Sequence, residues 1–221
     1  MWQALYEELA PRGFVVIAVA MDSRPADPLP WIEAARPTYP ALIDRDHRLA
    51  ELYGIVNVPQ AVWIDEAGRI VRPAESAGAY EGFRQMNRTT REMPEEAARL
   101  TTQAKTTYLE AIRDWVRQGP RSAHALAADR VLAHLPALTD DVVRAQALFR
   151  LGQALIRLGR ADEGHRRIQE ASRLHPESWC IWRQGAGVNE QGLAALPDFW
   201  QRVDALGEGR YYSRVDMAGM P

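Results

Sequence analysis

At 221 residues, 47% apolar and 25% charged, the chain has the composition of an ordinary globular protein, with room for one large or two small domains and a real core. A net charge of -2 over 27 basic and 29 acidic residues supplies no field for a polyanion, so nucleic acid is not an expected partner. The single cysteine, Cys180, excludes an internal disulfide and a cysteine-built zinc site.

Trp2, Leu5, Tyr6 and Leu9 recur at helical spacing, and Pro11 with Gly13 ends that helix. Phe14 to Met21 is apolar on both faces and rich in valine and isoleucine, which predicts a central strand covered on each side. At eight residues it falls well short of the roughly 20 needed to cross a bilayer. The N-terminus also lacks the basic start and apolar middle of a secretory signal, so a cytoplasmic product with no membrane partner is expected. A loop with Pro25, Pro28 and Pro30 precedes a short helix at Trp31 to Ala35 and a short strand at Pro40 to Ile43. Asp46 is placed to cap a helix from His47 to Tyr53, which Gly54 ends. Gln60 to Ile64 and Arg69 to Arg72 then read as an antiparallel hairpin with Asp65 and Gly68 at the turn, and residues 14 to 72 as one sheet.

Between Ala74 and Pro94 the hydrophobic period is lost, as in a linker, and the rest is helical. Thr101 to Val116 carries Tyr108, Ile112 and Val116 on one face and is stopped by Gly119 and Pro120. Val142 to Leu158 and Ala161 to Leu174 form a helix pair, and further helices are expected around Trp179 to Trp182 and Phe199 to Val203. Leu148, Leu151, Gly152, Leu155, Gly164, Ile168, Ala171 and Pro176 fall at the offsets of a tetratricopeptide repeat, which the pair resembles. One such pair cannot bury its apolar face alone and must stack on its neighbours.

Few residues outside these patterns point to chemistry. Cys180 between Trp179 and Ile181 reads as inert packing. His47, His124, His134, His165 and His175 include no pair at the four-residue spacing of a zinc clamp, so surface or capping roles are expected and no metal site. Asp44 and Asp46 have the proximity of an acid and base pair, yet loop and cap roles explain them more simply. Glu163, Arg166, Arg167 and Glu170 read as a solvated face, and the C-terminal tryptophans as core.

Three segments, FVVIAVAMD, YPALIDRDHRLAELYGIVNVP and QAVWIDEAGRIV, together resemble the TlpA/ResA type of thioredoxin-like protein, close to the AhpC/TSA redoxins. The resemblance implies an α/β thioredoxin-like domain over 1–84, incomplete at its N-terminus; the helical pattern beyond it reads separately as a linker at 85–100 and an all-α tetratricopeptide-like domain over 101–221 with its helix pair at 143–176. The resemblance implies thiol-disulfide oxidoreductase or antioxidant peroxidase chemistry with no cofactor. It also implies that Pro59 is cis, and that Val58 and Pro59 bind a protein or thiol substrate; the helical domain, read on its own, is expected to hold a protein partner. Proteins of this type carry Cys-x-x-Cys, in some cases with selenocysteine, in a turn before the helix that Leu5 to Leu9 would continue. Here no such motif is present, so no catalytic residue can be named and the chain alone is expected to be inactive. Two explanations follow: a thioredoxin-like domain that lacks its first strand and redox turn, which is favoured, or a redox-inactive binding module.

Overall fold

The computed structural model describes residues 1–24, 28–190, 192, 193 and 196–221; Pro25, expected in the loop after the first strand, lies outside them. Helix α1 (Trp2–Leu9) buries Leu5 and Leu9, and a 3-10 turn carrying Pro11 ends it at Gly13 in the left-handed region. Strand β1 (Ala18–Ala20) pairs in parallel with β2 (Ala41–Ile43), Val19 opposite Leu42.

The predicted strand from Phe14 to Met21 is thus cut to three residues. The reason lies in the ladder. Ala18 donates to Pro40 O at 2.9 Å and Asp44 donates to Ala20 O at 2.8 Å, so by the two-residue period the next donor toward Val16 would be Pro40, which has no N–H. Val15 and Ile17 are each 61% exposed and Leu42 is 53% exposed, in place of the covered central strand expected.

Helix α2 (Leu29–Ala35) starts two residues earlier than its apolar pattern suggests, with Pro30 in its first turn where a missing N–H costs nothing. Helix α3 (Arg48–Tyr53) ends at Gly54, left-handed at φ 65°. Strands β3 (Gln60–Ile64) and β4 (Ile70–Ser76) form an antiparallel hairpin. Gly68 N–H closes its turn onto Asp65 O at 2.9 Å, and Asp65 also accepts the backbone N–H of Ala67 and Arg69. The one sheet expected over 14–72 is present as two two-stranded sheets, β1 with β2 and β3 with β4.

Helix α4 (Glu95–Gln118) is longer than expected at 24 residues and stops at Gly119. Short α5 (Ala128–Ala133) was not foreseen. Helix α6 (Asp140–Arg157) is capped by Thr139, whose hydroxyl accepts the N–H of Val142, and α7 (Ala161–Leu174) follows a three-residue turn. Helices α8 (Trp179–Gly185) and α9 (Pro197–Asp204) complete the elements. Among the described residues no helix is long and apolar enough to cross a membrane.

The chain divides into two compact units, each assembled from separated stretches. The first comprises Met1–Tyr6, Val15–Val58 and Pro136–Trp200. Its core is Ala145 and Phe149 of α6, Ile168 and Ala171 of α7 and Ile181 of α8, with Leu148, Ile156 and Leu174 packed against them. Gly152 lies against Ile168, and Gly164 against Ile156, so α6 and α7 run antiparallel.

The second unit comprises Glu7–Phe14, Pro59–Leu135 and Gln201–Pro221. In it Trp63 of β3 stacks on Trp115 with ring centroids 5.1 Å apart and donates its indole N–H to the Tyr108 hydroxyl at 2.8 Å. Arg72, opposite Trp63 in the hairpin, is 1% exposed. Its guanidinium binds both oxygens of Glu75, at 2.6 and 2.9 Å, and donates to the carbonyls of His124 and Asp216, each at 2.9 Å. A buried cation persists only with such partners.

Candidate functional site

The loop after α3 carries the residues expected to meet a substrate. Gly54 turns the chain, Ile55 is buried, and the next residues are tied down by α8. Cys180 N–H donates to Val56 O at 3.0 Å, and Arg183 Nη1 donates to Asn57 Oδ1 at 3.0 Å. Asn57 itself is 3% exposed, and the same Oδ1 accepts the Val58 N–H at 2.9 Å. Val58, which closes this stretch of the first unit, has an exposed side chain. Pro59, which opens the hairpin stretch of the second unit, is also exposed, and its carbonyl accepts the N–H of Ala77 at 3.2 Å.

A second polar group gathers after the parallel strands. Asp22 and Ser23 follow β1, and residues 44–47 follow β2; the carboxyl ends of parallel strands are where α/β sheets usually present ligand-facing loops. The capping assignment is corrected here. Asp44, not Asp46, caps α3, accepting the N–H of Arg48 at 3.0 Å and of Leu49 at 2.6 Å. His47 takes the left-handed conformation at φ 52°, and in this turn Asp44 reaches the free N–H groups of α3. Asp46 pairs instead with Arg157 at 2.8 Å.

His47 is also corrected, because it is 3% exposed and no surface group. Its ring meets Phe149 edge to face at 5.0 Å, and among the described residues neither ring nitrogen has a hydrogen-bond partner. Burial lowers its pKa below the ordinary histidine value, with Asp44, Asp22 and Asp46 pulling the other way. Beside this loop Gln153 donates to Ser23 Oγ at 2.5 Å and to Arg45 O at 3.2 Å, while its own Oε1 has no partner among the described residues. The sequence held little signal for this role, since a histidine in a run of charged turn residues reads as solvated.

Cys180 is 5% exposed, and burial pushes its thiol up to about 11, with Arg183 opposing. A thiol so protonated is a poor nucleophile. His175 is buried as well, with its pKa lowered by burial; it is no surface group but stands at the C-cap of α7, the other role expected. His134 bonds Arg130 O and the Asp216 carboxylate, and His165 is exposed. Among the described residues no group of three or more histidine, cysteine or acidic side chains is arranged to hold a metal ion.

No curated protein and no solved structure matches the chain. Residues 1–72, which run from α1 into the hairpin, match the family model described as the AhpC/TSA family. The N-terminal third, with its parallel strands, the Val58–Pro59 step and the hairpin start, is therefore similar to the redoxins, a group of thioredoxin-like fold.

Proposed function

We propose that this chain is the substrate-holding part of a TlpA/ResA-like thiol-disulfide oxidoreductase and does not itself carry the redox-active turn. The reading rests on one observation. Val15, Ile17 and Leu42 expose an apolar face beside a two-stranded parallel sheet, an arrangement that such sheets normally bury on both sides. A further strand leading to a redox turn would cover it. Val58 and Pro59, joined by a cis bond, would then meet a protein or thiol substrate, and an attacking thiolate or selenolate would come from the added segment. Catalysis by the present residues finds no support, because Cys180 is buried and its thiol is pushed up to about 11.

The test compares the 221-residue chain with the product of the same gene extended in frame upstream of Met1, using insulin reduction and peroxide consumption. Turnover is expected only in the extended protein. If upstream codons encode neither a strand nor a Cys-x-x-Cys or selenocysteine turn, the reading fails.

A second reading is a redox-inactive binding module, cytoplasmic, whose α6–α7 pair belongs to a tetratricopeptide-like domain and holds a protein partner. The close approach of Gly152 and Gly164 favours it. In that case the extended gene product would also lack turnover.

A further inference from the structure

We propose that Asn57 occupies the backbone amide of Val58 that an extended polypeptide would use, and that Arg183 of α8 holds Asn57 there, so that α8 controls strand addition at Val58. The proposal rests on the reading of Val58 as a substrate contact.

Adding a strand beside Val58 requires its N–H as a donor and its carbonyl as an acceptor. The N–H is already spent on Asn57 Oδ1 at 2.9 Å. That oxygen also receives Arg183 Nη1 at 3.0 Å. A guanidinium only donates, which fixes the orientation of the Asn57 carboxamide, oxygen toward Arg183 and Val58. Arg183 is itself braced, since its guanidinium carbon sits 5.9 Å from the Trp179 ring centroid, one turn earlier on α8. From the same turn Cys180 N–H holds Val56 O at 3.0 Å, so two contacts from α8 set the backbone on the N-terminal side of Val58. Asn57 is 3% exposed, which leaves its carboxamide little freedom to turn aside while Arg183 is in place. An incoming strand must therefore displace a charge-anchored acceptor before it can bind. The class of ligand this edge would take is an unfolded or extended polypeptide, recognised through its backbone.

The experiment uses the full chain, 15N-labelled, with reduced and carboxymethylated ribonuclease as the extended probe. In the wild type the Val58 amide should exchange with solvent slowly. Arg183→Ala should free it and tighten probe binding by about five-fold, the worth of one net hydrogen bond. Asn57→Ala, which removes the acceptor and leaves Arg183 on Trp179, should do the same, and Arg183→Lys, which keeps a cationic donor, should restore the weaker binding. Probe that shifts the Val58 amide with unchanged or reduced affinity in Arg183→Ala and Asn57→Ala overturns the control by α8 while leaving Val58 as the contact. Probe that shifts no resonance near Val58, or binds no variant, overturns the reading of Val58 and the proposal with it. Rapid exchange of the wild-type Val58 amide overturns the proposal without any variant.

Discussion

Gly152 and Gly164 exclude each other's side chains: a Cβ on Gly152 would lie 2.8 Å from the Gly164 carbonyl oxygen, and a Cβ on Gly164 would lie 2.6 Å from that of Gly152. Backbone atoms cannot swing aside as a side chain can. Gly152→Ala or Gly164→Ala should force α6 and α7 apart and cost about 1–3 kcal/mol, as overpacking does. Urea unfolding of either variant checks this, and a midpoint equal to the wild type would mean that the pair is looser than its geometry implies.

Arg72 and Glu75 offer a contrast between buried and exposed charge. Glu75→Gln leaves the Arg72 cation 1% exposed without a counter-charge and should destabilise the protein by about 3 kcal/mol. Glu96→Gln, which breaks the exposed 2.7 Å pair with Arg99, should leave the melting temperature unchanged. Parallel thermal melts measure both.

Stability should fall in mild acid through His47. Its pKa is lowered by burial in the folded state, so the unfolded chain binds the proton more readily. The neutral ring contributes its full stability above the unfolded value near 6.5, and that contribution is lost as the pH drops below it toward the folded pKa. His175 shifts in the same direction and has the same sign. Melting temperatures from pH 7.5 to 5 should decline in the wild type and decline less in His47→Asn, which keeps a residue tolerant of positive φ. An equal slope in the variant would remove His47 from the acid limb.

Cys180 should resist modification. With its thiol pushed up to about 11, only roughly one molecule in a thousand carries a thiolate at pH 8, even before burial limits access. A disulfide reagent such as Ellman's should label the native chain very slowly and the denatured chain completely. Fast native labelling would show an accessible thiol and reopen the question of its chemistry.

Much of the N-terminal architecture could be read from residue pattern. Trp2, Leu5 and Leu9 mark α1 by period, and Gly13, Gly54 and Gly119 stop elements because each takes a positive φ. The strand at Phe14 to Met21 is shorter than its apolar character suggests, because that character says nothing about donors, and Pro40 supplies none. β4 runs on to Ser76 through Pro73, a residue that normally argues against a strand, so its last residues read as linker. Burial of Arg72 and Glu75 was hidden by charge, which reads as surface until a partner is found. The roles of Asn57 and Arg183 were out of reach for another reason: 126 residues separate them, and no local pattern reports a contact of that span.

The interleaving of the two compact units has a consequence for synthesis on the ribosome. Residues 201–221 belong to the same unit as 59–135, so that unit cannot close until residues 201–221 have been translated and have cleared the exit tunnel. Arg72 waits for Asp216, one of its carbonyl acceptors, 144 residues downstream. Until then the hairpin holds an incompletely satisfied cation, a state open to solvent, chaperones and proteases. Removal of residues 216–221 should therefore harm the hairpin in the first half of the sequence more than the α6–α7 pair that lies closer to the cut.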